Sequence, residues 1–402
     1  MAKKILFNDG WLFTKKEVGT LPQSLKNHDI PWSEVDIPHD WLIYNSKDLY
    51  ETSEGWYKKS FTIDDISDRV ISICFEGVYM NSTVYVNDAV AGEWKYGYSS
   101  FEFDITGFLR TGRNEIMVRV VYQSPNSRWY SGAGIYRNVW LKTSSPSHLV
   151  TDGTYLATRK VDFGWHVELG TEAISNAPVD GMVKHIITDM QGNEIAVSKN
   201  AICIGYSIAY DKQDIFVQNP DVWSIETPSL YQLITQLVIH GEVVDEEVQK
   251  FGFRTTRFDT QEGFFLNDKQ VKLHGANMHH DLGALGSAVN KAALRRQLMM
   301  LKEMGVNAIR TSHNMPAVEL MELADELGIL IDSEAFDMWE LKKTDYDYAR
   351  FFKEWCAKDV ASWIRRDRNH PSIILWSIGN EIYDTHASER GLEITKLLKD
   401  LT

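Results

Sequence analysis

The chain has 402 residues, 44% hydrophobic and 24% charged, with a formal net charge of -14. That length exceeds one ordinary core and points to two or three domains of a globular protein. The acidic balance argues against an extended phosphate-binding surface, so neither nucleic acid nor an anionic membrane is an expected partner.

The N-terminal residues 1–9 carry Lys3 and Lys4 but no sustained apolar run and no small-residue cleavage site, so they do not read as a secretory signal. No stretch reaches the apolar length that spans a bilayer. Cys74, Cys203 and Cys356 are odd in number and scattered, which suggests neither a disulfide framework nor a metal-ligand pair. A cytoplasmic, reducing location is the expectation.

Residues 1–145 read as a β-sandwich. Short alternating runs such as Val70 to Phe75, Thr83 to Val86 and Ile116 to Val121 are separated by Asn, Asp and Gly at Asn87, Asp88, Gly112 and Asn114, residues that tolerate tight turns. Residues 146–258 continue in the same period, with Trp165 to Leu169 and Leu233 to Ile239 as the clearest strands, and their length suits an immunoglobulin-like sandwich.

The period changes over residues 259–402, where strands begin to alternate with helices. Strand candidates are Val271 to Asn277, Ala308 to Thr311, Ile329 to Asp332 and Ile373 to Ile378. Between them Asn290 is placed to cap a helix with Leu294, Leu298 and Leu301 on one face, and Gly305 to stop it. A second helix has Pro316 near its start, Leu320, Leu323, Ala324 and Leu327 along one side and Gly328 at its end. Phe352, Cys356 and Trp363 mark a third, and a last helix begins near Ser388. A β-α series implies a parallel sheet with helices outside it. A complete (β/α)₈ barrel takes roughly 250 residues and eight strands, so about half of one is expected here.

Each of the four strands ends in polar residues: His279, His280 and Asp281, then His313 and Asn314, then Glu334 and Asp337, then Asn380 and Glu381. Strand ends of one kind converge on one face of a barrel, where active sites form. Glu381 follows an almost wholly apolar strand, and partial burial at the barrel mouth would raise its pKa and suit it to general-acid work. Asn380 beside it can donate and accept hydrogen bonds to a hydroxyl. For His279 and His313 a packed role at the strand end is as natural as contact with a ligand, and Glu334 reads more easily as a hydrogen-bond partner inside the barrel. Other chemistries lack their motifs. Gly132 and Gly134 miss the third glycine of a dinucleotide fingerprint because Arg137 stands there, and no Gly-x-Ser-x-Gly or His-Glu-x-x-His occurs. No cofactor is expected.

The run Trp376 to Glu381, preceded by Arg365-Arg366-Asp367-Arg368-Asn369-His370-Pro371-Ser372, resembles the acid/base region of glycoside hydrolase family 2. Ile309 to Asn314 and Asp332 to Trp339 are similar to that family's second and third strand ends, and Ser131 to Trp140 resembles the signature of its sugar-binding-type jelly roll. The resemblance implies a retaining β-glycosidase that hydrolyses terminal β-D-galactosides, with β-glucuronidase and a non-catalytic carbohydrate-binding module as alternatives. It makes Glu381 the acid/base, Asn380 a ligand of the sugar 2-hydroxyl, and His279, His313 and Glu334 candidates for substrate contact. Arg128 stands where better-known members carry Asp, so sugar contacts from that loop should differ. The magnesium ligands of the best-known galactosidase are not matched after Glu334, so no metal is expected. Retaining chemistry needs a second carboxylate roughly 5 Å from the first; the family draws it from the seventh barrel strand, beyond residue 402. These residues alone are therefore expected to be inactive, and the open edges of a half-barrel to favour a homo-oligomer or the remainder of the barrel as partner.

Overall fold

The computed structural model describes residues 3–26, 29–386 and 388–402. Its first part is a sandwich of two antiparallel sheets, one of six strands running from Ser33–Val35 at one edge to Ala89–Trp94 at the other and one of four that includes Lys3–Leu6 and Val139–Ser144. Alternation in the sequence decides which side chains enter the space between them. Ile71, Ile73 and Phe75 point inward from one sheet, and Ile116, Val118 and Val120 from the other, all essentially inaccessible.

The second part is also a sandwich, of two four-stranded antiparallel sheets built around Gly164–Ser175 and Tyr231–Ile239. Trp165, Val167 and Leu169 face Leu233 and Phe251 across its core. Next comes a three-stranded meander over Thr256–Asp259, Gly263–Leu266 and Lys269–Gln270.

The four parallel strands follow in sequential order: Gly275–Met278, Ala308–Thr311, Leu330–Glu334 and Ile373–Ser377. The helices between and after them are α1 (Lys291–Glu303), α2 (Val318–Leu327), α3 (Ala349–Asp367) and α4 (Glu389–Leu401). This is the expected half-barrel arrangement. The first strand differs from expectation: it begins at Gly275, not Val271, because Val271 N–H still bonds Phe264 O in the meander and His274 N–H is taken by the Asn307 side chain. Asn290 caps α1 by accepting from Ala293 N–H, and Ser388 caps α4 by accepting from Gly391 N–H. Gly328 ends α2 at φ +66°, where a Cβ would lie 2.4 Å from Ile225 O, so no other residue fits. Among the described residues no helix is long and apolar enough to cross a membrane.

One continuous apolar core joins the first sandwich to the parallel sheet and its helices, running from Trp11 and Tyr57 through Tyr136 and Met315 to Phe352 and Trp363. Arg137 sits inside it, fully buried, and its guanidinium donates to Tyr98 O, Met315 O and Pro316 O at 2.8–3.1 Å. That residue explains physically why an arginine sits in the Gly-Ile-Tyr-Arg-Asn-Val-Trp run. It fixes the sandwich against the loop that follows the second strand.

Candidate active site

At the C-terminal ends of the strands an unbroken set of charge-assisted hydrogen bonds holds the polar residues together. Glu334 ends the third strand with no accessible surface. Its Oε2 accepts from Arg310 Nε and Nη2 at 3.1 and 2.8 Å and from Ser377 Oγ at 2.7 Å, and its Oε1 meets His313 Nδ1 at 2.6 Å. Every direction on this carboxylate is spent inside the protein. Of the two readings of Glu334, ligand contact and hydrogen-bond partner inside the barrel, this geometry is that of the second: the carboxylate orients Arg310 and His313.

Arg310 passes that order on. Its Nη2 donates to Asn380 Oδ1 at 2.8 Å, while Asn380 Nδ2 donates to Asp337 Oδ1 at 2.8 Å and Asn380 N–H to Phe336 O at 2.9 Å. The amide is held on both sides, which leaves one N–H and one lone pair for a ligand. Asp337, also buried, accepts from Arg128 Nε and Nη2 at 3.0 and 2.6 Å and from Lys343 Nζ at 3.0 Å. Lys343 is itself almost completely covered and also donates to Asn380 O at 2.8 Å. Burial pushes the Asp337 carboxyl up, but the hydrogen bonds from Arg128, Asn380 and Lys343 outweigh it and hold the group below the usual carboxylate range.

Glu381 stands apart from this buried set. Its side chain is 67% exposed, and its backbone sits at φ +45°, in the left-handed region that non-glycine residues avoid. Strain of that kind costs of order 1–3 kcal/mol and clusters at functional sites. Burial does not raise its pKa as expected; the hydrogen bond and charge of Arg128 Nη1, 3.0 Å from Oε2, hold the carboxyl below its ordinary value. The reason is geometric: the left-handed turn carries the side chain out of the sheet's shelter and towards a cation from another domain.

The opposite wall is aromatic. His279 stacks on Trp129 with ring centres 5.2 Å apart, and His313 stands edge-on to both. Burial, with the His313 charge beside it, lowers the His279 pKa and favours the neutral ring. His280 turns the other way, its Nε2 against Ser131 O at 3.0 Å, and Asn314 is buried against the Met315 backbone, so neither faces the site. The structure thus brings Arg128, His279, His313, Asn380 and Glu381 together, with Glu334 behind them. Arg310 and Lys343 were not anticipated. A charged residue inside the short strand Ala308 to Thr311 was a usable signal for Arg310; Lys343 lies in a loop with no pattern to mark it. Among the described residues no group of His, Cys, Asp and Glu side chains could hold a metal ion.

Comparison with known proteins covers nearly all of this architecture. Residues 20–145 match the profile of the glycosyl hydrolases family 2 sugar binding domain, residues 154–254 that of glycosyl hydrolases family 2, and residues 259–401 that of the family 2 TIM barrel domain. The chain is 42% identical over 392 residues to beta-galactosidase BoGH2A of Bacteroides ovatus, covering 92% of this chain and 46% of that protein. A crystal structure of a family 2 member from Bacteroides cellulosilyticus superposes with a TM-score of 0.92 at 33% identity, over 99% of this chain and 55% of the other. Beta-glucuronidase 2 of Bacteroides uniformis, covalently bound to cyclophellitol-6-carboxylate aziridine, superposes with a TM-score of 0.83 at 27% identity, over 100% of this chain and 50% of the other. The chain spans about half the length of the curated relatives it matches. Two sandwiches and a parallel sheet, matched in one order by the profiles of one family, leave a single assignment: the chain belongs to glycoside hydrolase family 2.

Proposed function

We propose that these residues form the acid/base half of a retaining β-glycosidase acting on terminal β-galactosides. Glu381 is the general acid/base in this reading and Asn380 holds the sugar 2-hydroxyl. The observation that carries it is the immobilised Asn380 amide, gripped by Arg310 and Asp337, immediately before a strained and accessible carboxyl. Its β-galactoside preference rests on the name of the Bacteroides ovatus relative.

In the first step protonated Glu381 gives its proton to the glycosidic oxygen as the C–O bond breaks, while a second carboxylate takes the anomeric carbon. In the second step the Glu381 carboxylate takes a proton from the water that releases the sugar. Neither Glu334 nor Asp337 suits the nucleophile's part, since one is saturated with hydrogen bonds and the other grips Arg128 and Lys343. We therefore assign the nucleophile to chain beyond residue 402. A covalent adduct with a cyclitol aziridine, such as that of the Bacteroides uniformis protein, is the product expected when a carboxylate nucleophile meets an electrophile of that type. The Arg128 contact must open before Glu381 can act as an acid. Loss of the guanidinium and cover by a sugar would both move its pKa upward.

A β-glucuronidase is the second reading, favoured by that same neighbour and by the cation that Arg128 brings to the site wall. Nitrophenyl β-galactoside and β-glucuronide, assayed against both these 402 residues and the longest product of the same gene, test the proposal. Hydrolysis of the galactoside by the longer product only, abolished by Glu381→Gln, is the expected result. Turnover by the 402 residues alone would overturn the assignment of the nucleophile, and preference for the glucuronide would select the second reading.

A further inference from the structure

At the other end of the fourth strand lies a second concave site that the glycosidase reading does not use. A solvent-open cavity of about 500 Å³ runs between the second sandwich, at residues 155–160 and 252–256, and the turn that leads into Ile373, at residues 368–371. Arg159, Lys160, Arg254, Arg368 and His370 line it, and among its described lining residues there is no Asp or Glu. In a protein with a net charge of -14 such a concentration of cations is unusual.

Two of these cations form no ion pair among the described residues. Arg159 and Lys160 are exposed and pair with Glu168 and Asp268 at 3.3 and 2.9 Å. Arg254 and Arg368 are partly buried, and among the described residues no carboxylate lies within ion-pair distance of either; Asp325 acts on Arg254, and Glu172 and Asp152 on Arg368, only from further away. Arg254 Nη2 donates to Ile373 O at 2.5 Å. Arg368 Nη2 donates to Asp152 O at 3.0 Å, its guanidinium lies over the Tyr155 ring, and its Nε is buried without a partner.

The nearest acids are already engaged. Asp325 accepts from His370 Nδ1 at 2.6 Å and from Ser372 N–H, and Glu172 takes both arms of Arg365. A partly buried guanidinium that hydrogen-bonds only to a carbonyl, with the nearby acids held by other donors, is incompletely compensated, and an anion would complete the site.

We infer that this cavity is a binding site for a phosphate- or sulfate-type oxyanion, held by Arg254 and Arg368 and steered by Arg159 and Lys160. Planar guanidinium groups match such oxygens with paired hydrogen bonds. The bound group would bridge the second sandwich to the parallel sheet without touching Glu381.

Calorimetric titration with inorganic phosphate at constant ionic strength, balanced with chloride, tests the inference. Saturable binding is expected, weakened about tenfold or more in Arg254→Gln, a change of about 1.4 kcal/mol or more. Should that variant fail to fold, Thr256→Glu, at an exposed lining position, places a carboxylate on the rim and should weaken binding comparably while leaving the circular dichroism unchanged. Glu381→Gln should leave phosphate binding intact. Competition by sulfate supports a tetrahedral oxyanion. Competition by acetate but not sulfate, absence of binding at millimolar phosphate, or affinity that survives Thr256→Glu would overturn the inference.

Discussion

The first sandwich shares its apolar core with the helices of the parallel sheet, through residues such as Tyr136, Met315 and Phe352. The second keeps separate cores around Leu233 and Leu237 and meets the sheet through a small apolar cluster, Trp223 and Ile225 with Phe264, Ala308 and Leu330, flanked by polar contacts: Arg365 on Glu172, Lys250 on Glu326, and Asn369 on the backbone of Thr154 and Leu156. Among the described residues the first reaches the candidate active site, by way of Arg128 and Trp129. An extensive hydrophobic joint fixes position closely because packing defects are expensive, whereas the ion pairs that flank the smaller one are half-exposed, weak and screened. The difference teaches which sandwich can serve chemistry: the one whose attachment holds Arg128 in place against Asp337 and Glu381.

Several substitutions would break or sharpen that contrast. The largest effect is expected at Arg137. Removing it as Arg137→Ala strands buried carbonyls of both partners, at roughly 1–3 kcal/mol for each acceptor left unpaired, so urea unfolding should show a loss of about 3 kcal/mol or more. At the second joint Arg365→Ala removes a pair that is partly exposed on both sides and should cost only about 1 kcal/mol, with the cost shrinking further in high salt. Equal losses at the two positions would contradict the contrast.

Asp359 on α3 gives a pH-dependent test of the first joint. Burial pushes its carboxyl up to about 7, even though Trp94 Nε1 and Ser99 Oγ, both from the sandwich, donate to it at 2.8 and 2.7 Å. Its folded pKa lies above the unfolded value of 3.8, so its contribution to stability is fully present below about 4 and is lost as pH rises through 7. Asp359→Asn should flatten that decline in denaturation midpoints measured from pH 4 to 8. An unchanged slope would mean that the carboxyl does not titrate as described.

The smallest expected effect is a displacement of a pH profile. Because Arg128 holds the Glu381 carboxyl down, Arg128→Gln should move the alkaline limb of kcat/KM, which reports loss of the acid's proton, to higher pH in the longest active product of the gene. Arg365→Ala should leave that limb where it is. A limb that moves with Arg365 but not Arg128 would reverse the roles given to the two sandwiches.

Strand period carried most of the fold into view. Ala308 to Thr311 and Val70 to Phe75 form as their alternation implies, and Asn290, Gly328 and Ser388 bound their helices through capping chemistry that is local in sequence. The first parallel strand was misplaced by four residues because its beginning is decided by partners elsewhere, Phe264 and Asn307. The site divides in the same way. Asn380 and Glu381 are legible because an apolar strand leads into them. The environment of Glu381 is not, since a left-handed backbone turn exposes it and a guanidinium 253 residues away sets its charge. Lys343 escaped notice for the related reason that burial of a loop lysine depends on what folds over it.

The most direct test of Glu381 as the acid is a comparison of leaving groups. In the longest active product of the gene, kcat/KM of Glu381→Gln would be measured for phenyl and for dinitrophenyl β-galactoside. A dinitrophenolate departs without protonation, whereas a phenolate needs the proton. The account predicts a loss of roughly 10² to 10⁴-fold on the phenyl substrate and little loss on the dinitrophenyl one. Equal losses on both would contradict it and leave Glu381 with a binding or structural role.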